Sequence, residues 1–551
     1  MRNSIRLCSL VLAALVLCTR SAVAQDNPTG DPVVQRIYTE GMERSQASRL
    51  AQVLMDSIGP RLTGSPANRA ANEWLLRTYK SWGIAAKNEQ YGTWRDWTRG
   101  PSSLTLVAPR TRVLEATMHA WSAATARGGV TAEVVILPTA AELRDSSEFA
   151  HWLAGARGKL VLASVPQPSC RPDSDVKFWA DSAVYSHAVA LRDSATADWA
   201  GRLSAAHLNP RSLPLQLERA GVAGILTNSW SRGWGVDKIQ SARASGVPSF
   251  DVSCEDYGLL ARLAANGQHP RVHAEAEGTV AAAESPVFNT IARIEGTERP
   301  NEYVMLSAHL DSWDSGSGAT DNGTGTITML EAMRILKAVY PRPKRTILVG
   351  HWSGEEEGDI GSGAFATDHP EVVKGLQALF NQDNGTGRIV RLSAGGLPDA
   401  DVHIRSWLSK LPPMFQDQIQ YGGVGFPAGG GSDDFSFGCA GLPAFGLGAL
   451  GWNYGNETWH TGRDTYDKVV FDDLKGNATL TAMLVYLASE DPTLIDRSRA
   501  DLAKVAEEMQ ARMAAQNNGN SANGRGGRGF RFPTTWPECE KAPRSTKPRL
   551  K

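Results

Sequence analysis

The sequence predicts an α/β protein in which one sheet-and-helix domain is interrupted by a second, β-rich domain. Two apolar strands, at residues 303–308 and 346–352, each lead into His or carboxylate residues at their C-terminal ends. Open α/β sheets place their functional sites at that edge. The length of 551 residues exceeds what a single hydrophobic core usually serves. We therefore expect two domains and a functional site at the ends of these strands.

The first elements of the main domain are two helices and a strand. A helical pattern over residues 33–54 ends at a Gly-Pro pair, and a second one over residues 68–82 carries apolar side chains at helical spacing before a glycine. A strand is predicted at residues 104–107. We assign residues 25–116 to the first part of the main domain.

The pattern of the chain changes near residue 117. Short strands alternate with turns up to about residue 283, and the apolar strands that lead into the site resume only afterwards. The predicted short strands cover residues 130–137, 159–163, 224–228 and 272–274. We interpret residues 117–283 as an inserted β-rich domain.

The main domain resumes over residues 284–514. Its predicted strands cover residues 287–294, 303–308, 346–352, 376–382 and 443–447, and its predicted helices cover residues 324–338, 401–411, 480–490 and 502–514. Residues 516–531 are rich in Asn, Gly and Arg and cannot bury apolar area. We therefore expect residues 515–551 to form a flexible C-terminal tail.

The N-terminal residues have the three parts of a cleavable secretory signal. Two arginines precede an apolar run over residues 7–18, and a triplet of small residues ends at Ala24. The apolar run is shorter than the roughly 20 residues that a membrane-spanning helix needs. We expect residues 1–24 to be removed as a signal peptide. The prediction is a secreted or periplasmic protein with no stable membrane anchor.

Signal cleavage would leave four cysteines in an oxidising compartment, namely Cys170, Cys254, Cys439 and Cys539. Four cysteines allow three connectivities, and the sequence does not choose among them. Cys170 and Cys254 fall in the same predicted domain, so we favour that pair.

The charges of the chain nearly cancel. The 57 basic and 58 acidic residues give a formal net charge of -1. This balance gives no reason to expect nucleic acid or an anionic membrane as a partner. Any electrostatic recognition must therefore be local.

Five side chains near the predicted strand ends are of the types that bind zinc. Zinc favours His nitrogen and carboxylate oxygen, and one carboxylate shared between two ions would employ all five groups. The five residues are His309, Asp321, Glu356, Asp383 and His460.

These residues lie in five short motifs that resemble those of the co-catalytic di-zinc exopeptidases of the aminopeptidase type, a family that includes carboxypeptidase Q-like proteins. The motifs are His309-x-Asp311, Asp321-Asn322-Gly323-Thr324-Gly325, Gly354-Glu355-Glu356, Asn381-Gln382-Asp383 and Trp459-His460-Thr461. The resemblance implies a three-layer α/β/α domain with a mixed central sheet, two zinc ions per chain and short peptides as substrates. Residues 221–228 and 246–253 resemble parts of a protease-associated domain.

The resemblance also implies a role for each matching residue. Asp311 would hold the ring of His309 through its second nitrogen, and Glu355 would be the general base that activates water. A cis peptide bond is expected between Asp321 and Asn322. The implied zinc ligands are Asp321 on both ions, Glu356 and His460 on one ion, and His309 and Asp383 on the other.

Several alternatives stay open from the sequence. Glu357 is a third consecutive glutamate, so the roles of base and ligand could be shifted by one position, from Glu355 and Glu356 to Glu356 and Glu357. A catalytically inactive receptor or binding protein of the same fold and a glutaminyl cyclase-like zinc enzyme are rival functions. Within the exopeptidase interpretation, aminopeptidase and dipeptidase or carboxypeptidase specificity remain open, as does a homodimer.

Overall fold

One mixed β-sheet connects the two parts of the protein. The computed structural model describes residues 30–143, 146–517 and 532–546, and twelve strands of this described part belong to the sheet. The predicted signal peptide lies outside the described residues. The strands are β1 Ala85–Ala108, β2 Arg112–Leu114, β3 Ala116–Met118, β4 Val130–Ile136, β5 Leu160–Leu162, β6 Gly224–Thr227, β7 Trp230–Gly233, β8 Val236–Asp237, β9 Ser249–Val252, β10 Arg271–Ile294, β11 Arg299–His309, β12 Arg345–Trp352, β13 Leu376–Asn381, β14 Ile389–Leu392, β15 Gln420–Tyr421, β16 Ala444–Gly446 and β17 Gly448–Ala449.

Helices cover both faces of this sheet. No helix among the described residues is long and apolar enough to cross a membrane. The helices are α1 Pro32–Glu43, α2 Ala47–Gln52, α3 Pro66–Ser81, α4 Ser146–Gly155, α5 Asp173–Trp179, α6 Ser182–Ala205, α7 Ser212–Ala220, α8 Cys254–Ala265, α9 Thr324–Val339, α10 Ile360–Asp368, α11 Pro370–Gly375, α12 Pro398–Leu408, α13 Pro413–Gln416, α14 Phe435–Gly438, α15 Tyr454–Glu457, α16 Phe471–Glu490 and α17 Leu502–Asn517.

The strands run in the order β16-β13-β11-β12-β10-β4-β5-β6-β9-β3. The first four are parallel to one another, and β10 is antiparallel to β12. Side chains alternate between the two faces of each strand. Val304 and Leu306 of β11 accordingly enter one hydrophobic cluster with α1, α9 and α16, whereas Met305 enters another with Phe365 and Phe437. This arrangement confirms the predicted three-layer fold with a mixed central sheet.

Strands β1 and β10 form a long antiparallel ribbon. Each is 24 residues long, and their register runs from the Ala85↔Arg293 pair to the Ala108↔Arg271 pair. One end of β10 pairs with β12 of the main domain, and the other end pairs with β4 of the middle block. The boundary that we predicted between residues 283 and 284 therefore falls inside a continuous strand.

The middle block contains more helix than we predicted from its short strands and turns. Helices α4 to α8 all lie between residues 117 and 283. Strands β4, β5, β6 and β9 of this block are parallel neighbours. Parallel strands need long crossover connections, which are usually helical. The block is therefore mixed α/β, and the β-rich description of it is corrected.

The C-terminal residues also differ from the prediction. We expected residues 515–551 to be a flexible tail, but α17 extends to Asn517, and residues 532–546 pack on the main domain. The prediction rested on the composition of residues 516–531, whereas Trp536 and a disulfide between Cys439 and Cys539 fix the later segment. The favoured pair Cys170–Cys254 is a second disulfide of the structure.

Candidate metal centre

The candidate site lies at the carboxyl edge of the parallel strands. His309 is the last residue of β11, Glu355 and Glu356 follow β12, and Asp383 follows β13. The other two ligating side chains come from loops, with Asp321 in the turn Ala319–Gly323 before α9 and His460 shortly after α15. Successive parallel strands deliver their ends to one edge, so residues far apart in sequence meet there.

The structure brings all five predicted ligands together around Asp321. Nε2 of His309 lies 3.5 Å from Oδ1 of Asp321 and 3.4 Å from Oδ1 of Asp383. Nε2 of His460 lies 3.3 Å from Oδ2 of Asp321 and 2.9 Å from Oε2 of Glu356. The two oxygens of one aspartate thus face two different histidines. This is the arrangement that a carboxylate shared by two cations requires.

Two groups of ligating atoms form around this carboxylate. His309, Glu355 and Asp383 make up one group and Asp321, Glu356 and His460 the other, with all ligating atoms of a group within 4.8 Å of one another. Glu355 joins the first group because its Oε2 lies 3.9 Å from Nε2 of His309. Glu357 belongs to neither group.

Unpaired buried atoms make this cluster suitable for cations. Nε2 of His309, Oδ2 of Asp321 and Oε1 of Glu356 are buried and have no hydrogen-bond partner. A buried polar atom without a partner is costly, and bound cations are one way to satisfy several such atoms at once. His nitrogen together with carboxylate oxygen is a donor set that suits zinc.

The pKa shifts reflect the same concentration of charge. Burial raises the pKa of Glu355 well above its ordinary value, and burial followed by repulsion from Asp321 raises the pKa of Glu356 to about 7. Burial alone would lower the pKa of His309, but Glu355 and Asp383 outweigh it and raise this pKa well above its ordinary value. Glu355 and Glu356 therefore bind protons more readily than exposed glutamates do, and a bound cation would compete with those protons.

Asp311 contacts both sides of the cluster. Nδ1 of His309 lies 3.0 Å from the backbone oxygen of Asp311 and 3.7 Å from its carboxylate, so the ring's hydrogen bond is to the main chain. The carboxylate instead accepts hydrogen bonds of 3.3 Å from the backbone N–H groups of Glu355 and Glu356 and one of 2.9 Å from Thr63. Asp311 thus links the histidine to the glutamate loop.

The backbone of the glutamate loop is irregular, as expected for neighbouring residues that point to different places. Gly354 and Gly358 have φ values of 81° and 108°, in the region that favours glycine. The peptide bond between Asp321 and Asn322 is cis, as the resemblance implied. The side chain of Asn322 then donates a hydrogen bond of 2.8 Å to the backbone oxygen of Gln382, next to Asp383.

Two residues that support the site were missed in the sequence. The fully buried Arg61 donates hydrogen bonds to the backbone oxygens of Leu310 at 2.6 Å and Gly318 at 2.8 Å, and so ties together the loops that bear His309 and Asp321. Asp464 accepts hydrogen bonds from the backbone of the turn that contains Asp321. The Gly-Pro-Arg run around Arg61 was a usable signal, whereas nothing marked Asp464.

Two cavities open on the cluster. The larger, of about 610 Å³, is lined by Glu355, Asp383 and His460 and by residues 539–543 of the C-terminal segment. The smaller, of about 400 Å³, lies on the side of the middle block. It contacts Glu356, Glu357 and His460, and its wall includes Trp94, Trp121 and Trp313.

Comparison with known proteins finds a peptidase family model and several relatives that match the part of the chain that contains this cluster. Residues 289–485 match the family model described as peptidase family M28. Carboxypeptidase Q of Mus musculus is 27% identical over 450 residues, which cover 81% of this chain and 86% of that protein. The corresponding human protein is 28% identical over 393 residues, covering 71% of this chain and 75% of its own.

The matched region, residues 289–485, is here called the M28 domain. The M28 domain contains all five predicted ligands and the β11–β13 strand ends that three of them occupy or follow. Together with these relatives, the match to the M28 model identifies the protein as a metallopeptidase of the exopeptidase type.

Solved structures show that the fold around the M28 domain is shared. A crystal structure of a peptidase M28 precursor from Shewanella amazonensis superposes with a TM-score of 0.63 at 21% identity and covers 84% of this chain and 97% of its own. A zinc aminopeptidase from Bacillus subtilis, BSAP, gives a TM-score of 0.52 at 21% identity, with 82% and 96% covered.

Proposed function

We propose that the protein is an exported di-zinc exopeptidase that hydrolyses short peptides next to a free end. The observation that carries this proposal is the position of Asp321, whose two oxygens lie 3.5 Å and 3.3 Å from the Nε2 atoms of His309 and His460. A carboxylate that faces a histidine of each ligand group suits two ions better than one.

The ligand groups suggest how the ions would be held. Asp321 would contact both ions, with Glu356 and His460 completing one site and His309 and Asp383 the other. Zinc is the metal that these donors favour, and one structural neighbour is described as a zinc aminopeptidase. When bound, zinc would polarise the peptide carbonyl and make a water molecule more acidic.

Glu355 would be the general base of the reaction. Its carboxylate takes a proton from the attacking water and then gives that proton to the leaving amine. Burial raises its pKa, which makes the carboxylate a stronger proton acceptor than an exposed glutamate. Asp311 supports this role, because its carboxylate accepts the backbone N–H of Glu355 and so fixes the direction of the side chain.

The charges that line the two cavities suggest a substrate with both ends free. In the larger cavity, Asp359 and Glu540 outnumber Lys541 beyond the ligand cluster, which favours an α-ammonium group. In the smaller cavity, Arg95 and Arg243 outnumber Glu357 beyond the ligand cluster, which favours an α-carboxylate. Complementary charge at each end favours such a substrate over a blocked one. This arrangement supports dipeptidase or short-peptide exopeptidase action.

The test is hydrolysis of four versions of one dipeptide, namely unblocked, N-acetylated, C-amidated and doubly blocked, together with metal analysis. We expect about two zinc ions per chain and the highest kcat/KM for the unblocked peptide. Equal rates on the doubly blocked peptide would overturn the exopeptidase assignment. Fewer than one metal ion per chain and no turnover would favour a binding protein, and ammonia release from an N-terminal glutamine would favour a cyclase.

Export is tested separately. The mature protein recovered outside the cytoplasm should begin at Gln25, which N-terminal sequencing would detect. An intact N-terminus on the exported protein would contradict cleavage after Ala24.

A further inference from the structure

Residues 532–546, here called the C-terminal strap, cross the main domain beside the site. Residues 539–543 of the strap line the larger cavity together with Glu355 and Asp383. Farther along, Thr546 lines the smaller cavity. The strap thus borders the space where a substrate would lie, although it comes from the end of the chain and carries none of the predicted ligands.

The strap is anchored at several points. Its start is held by the indole of Trp536, which donates a hydrogen bond of 3.2 Å to the backbone oxygen of Ala500. A disulfide joins Cys539 to Cys439 at the wall of the larger cavity. Such a cross-link restricts the segment even when its other contacts open.

Farther along, Arg544 ties the strap to the helix that follows the glutamate loop. Its guanidinium forms a two-point ion pair with Asp368 at 2.8 and 2.9 Å, and it donates a hydrogen bond of 3.1 Å to the backbone oxygen of Tyr91. The backbone oxygen of Arg544 accepts a hydrogen bond of 2.9 Å from the backbone N–H of Thr93. Side-chain and main-chain contacts therefore fix the same residue.

The main domain is shaped to receive the strap. A Cβ atom at Gly92 would overlap the carbonyl oxygen of Arg544 and lie 3.0 Å from its carbonyl carbon. A Cβ atom at Gly363 would lie 3.1 Å from the Cβ of Ala542, and one at Gly396 would lie 2.9 Å from the ring of Trp536. Three glycines on separate elements thus leave room for the backbone and side chains of this segment.

We propose that the C-terminal strap is a specificity-determining wall, which limits the size of the substrate residue that binds beside Glu355 and Asp383. This inference rests on the proposed peptidase function and concerns the amino-terminal side of the peptide. Residues 539–543 form a continuous part of the wall of the 610 Å³ cavity. Removal or displacement of the strap would open the cavity at that side, so that bulky or extended amino-terminal groups could enter.

The test compares wild type with two strap variants. The first is a chain truncated after Arg531 that also carries Cys439→Ser, which prevents a free thiol. The second is Gly92→Ala, which leaves the strap in the chain but forces its backbone away at Arg544. The matched control is Gly476→Ala in α16, where an added Cβ meets no atom within 4 Å.

Each protein is assayed for kcat/KM on two dipeptides that share the carboxyl-terminal residue, one with amino-terminal Ala and one with amino-terminal Trp, and for zinc content. We expect the Trp-to-Ala ratio of kcat/KM to rise about tenfold or more in both strap variants, which is the scale at which apolar pocket size discriminates substrates. Zinc content should stay at the wild-type level, and the control should keep the wild-type ratio.

A ratio within about twofold of wild type in Gly92→Ala, at normal zinc content, would overturn the strap proposal and leave the peptidase function intact. If wild type cleaves neither peptide, the proposed function itself fails. Should the truncated chain not fold, Gly92→Ala decides the question alone, because it retains every anchoring residue.

Discussion

The carboxylate of Asp464 accepts a hydrogen bond from the backbone N–H of Asp321, with 3.0 Å between Oδ2 and the nitrogen. Its other oxygen accepts the backbone N–H of Thr320 at 2.7 Å. Asp464 is almost fully buried and belongs to neither ligand group. The contact fixes the turn that presents the shared carboxylate, so Asp464 acts as a positioning residue for the cluster.

Replacing Asp464 should weaken metal binding. In Asp464→Asn one accepting oxygen becomes an NH₂ group, which cannot pair with a backbone N–H, so the turn around Asp321 loses one of its supports. We expect zinc affinity to fall about 10- to 100-fold, the usual cost of removing a residue that orients a ligand. Competition with a chelator measures this change. The exposed Asp472→Asn serves as control, and equal affinity in both variants would contradict the positioning role.

Glu355→Gln should separate metal binding from catalysis. The amide keeps the shape of the side chain but cannot accept a proton from water. We expect zinc content close to wild type and a kcat lower by about 10³-fold, within the range for loss of a general base. Metal analysis and steady-state kinetics on the unblocked dipeptide measure both. A kcat near that of wild type would reassign the base, with Glu357 as the next candidate.

His460→Ala should instead reduce metal content. Its Nε2 lies 2.9 Å from Glu356 and 3.3 Å from Asp321, so its loss removes one of three donors from one group. We expect fewer than two zinc ions per chain after dialysis. His403→Ala is the control, because His403 pairs with Asp491 outside the ligand groups. Two tightly held ions in His460→Ala would contradict the proposed ligand set.

His351 should make the folded state sensitive to acid. It is fully buried on β12, with Nε2 2.6 Å from the hydroxyl oxygen of Tyr79, and burial lowers its pKa to about 3. The unfolded chain has a His pKa of about 6.5. As the pH falls below about 6.5, the unfolded chain therefore binds a proton that the folded chain does not, and stability falls.

His351→Gln should remove this sensitivity. We expect wild type to lose up to about 1.4 kcal/mol of stability per pH unit through this residue between pH 6 and 4. The variant should lose correspondingly less over the same interval. Urea unfolding at several pH values gives the difference between the two slopes. Parallel slopes would show that His351 is protonated in the folded protein.

The sequence allowed prediction of the elements whose signals are local. The strand that ends at His309 and helix α9 follow from apolar periodicity, and the five predicted ligands, which the structure brings together, follow from their motifs. Asp464 could not be predicted in the same way, because it acts on a backbone group 143 residues away in the sequence. Backbone N–H and C=O groups are common to almost all residue types, so the sequence does not show which residue such a side chain will contact.

The middle block and the strap were missed for different reasons. Helices α4 to α7 separate strands of only three to seven residues, and short strands dominated the interpretation of that region. In the strap, the prediction extended the composition of the preceding residues 516–531 to the whole C-terminal segment and so overlooked the anchors Trp536 and Cys539. Each anchor depends on a partner distant in sequence, so a local window cannot detect it.

The β1–β10 ribbon has a consequence for protein engineering. Because it enters both the main domain and the middle block as unbroken strands, a minimal catalytic unit cannot be obtained by cutting at a linker. A shortened ribbon must be closed at a matched pair, such as Thr98 and Thr279, with a two-residue hairpin turn. Closure one residue out of step would turn every remaining side chain of one strand to the opposite face.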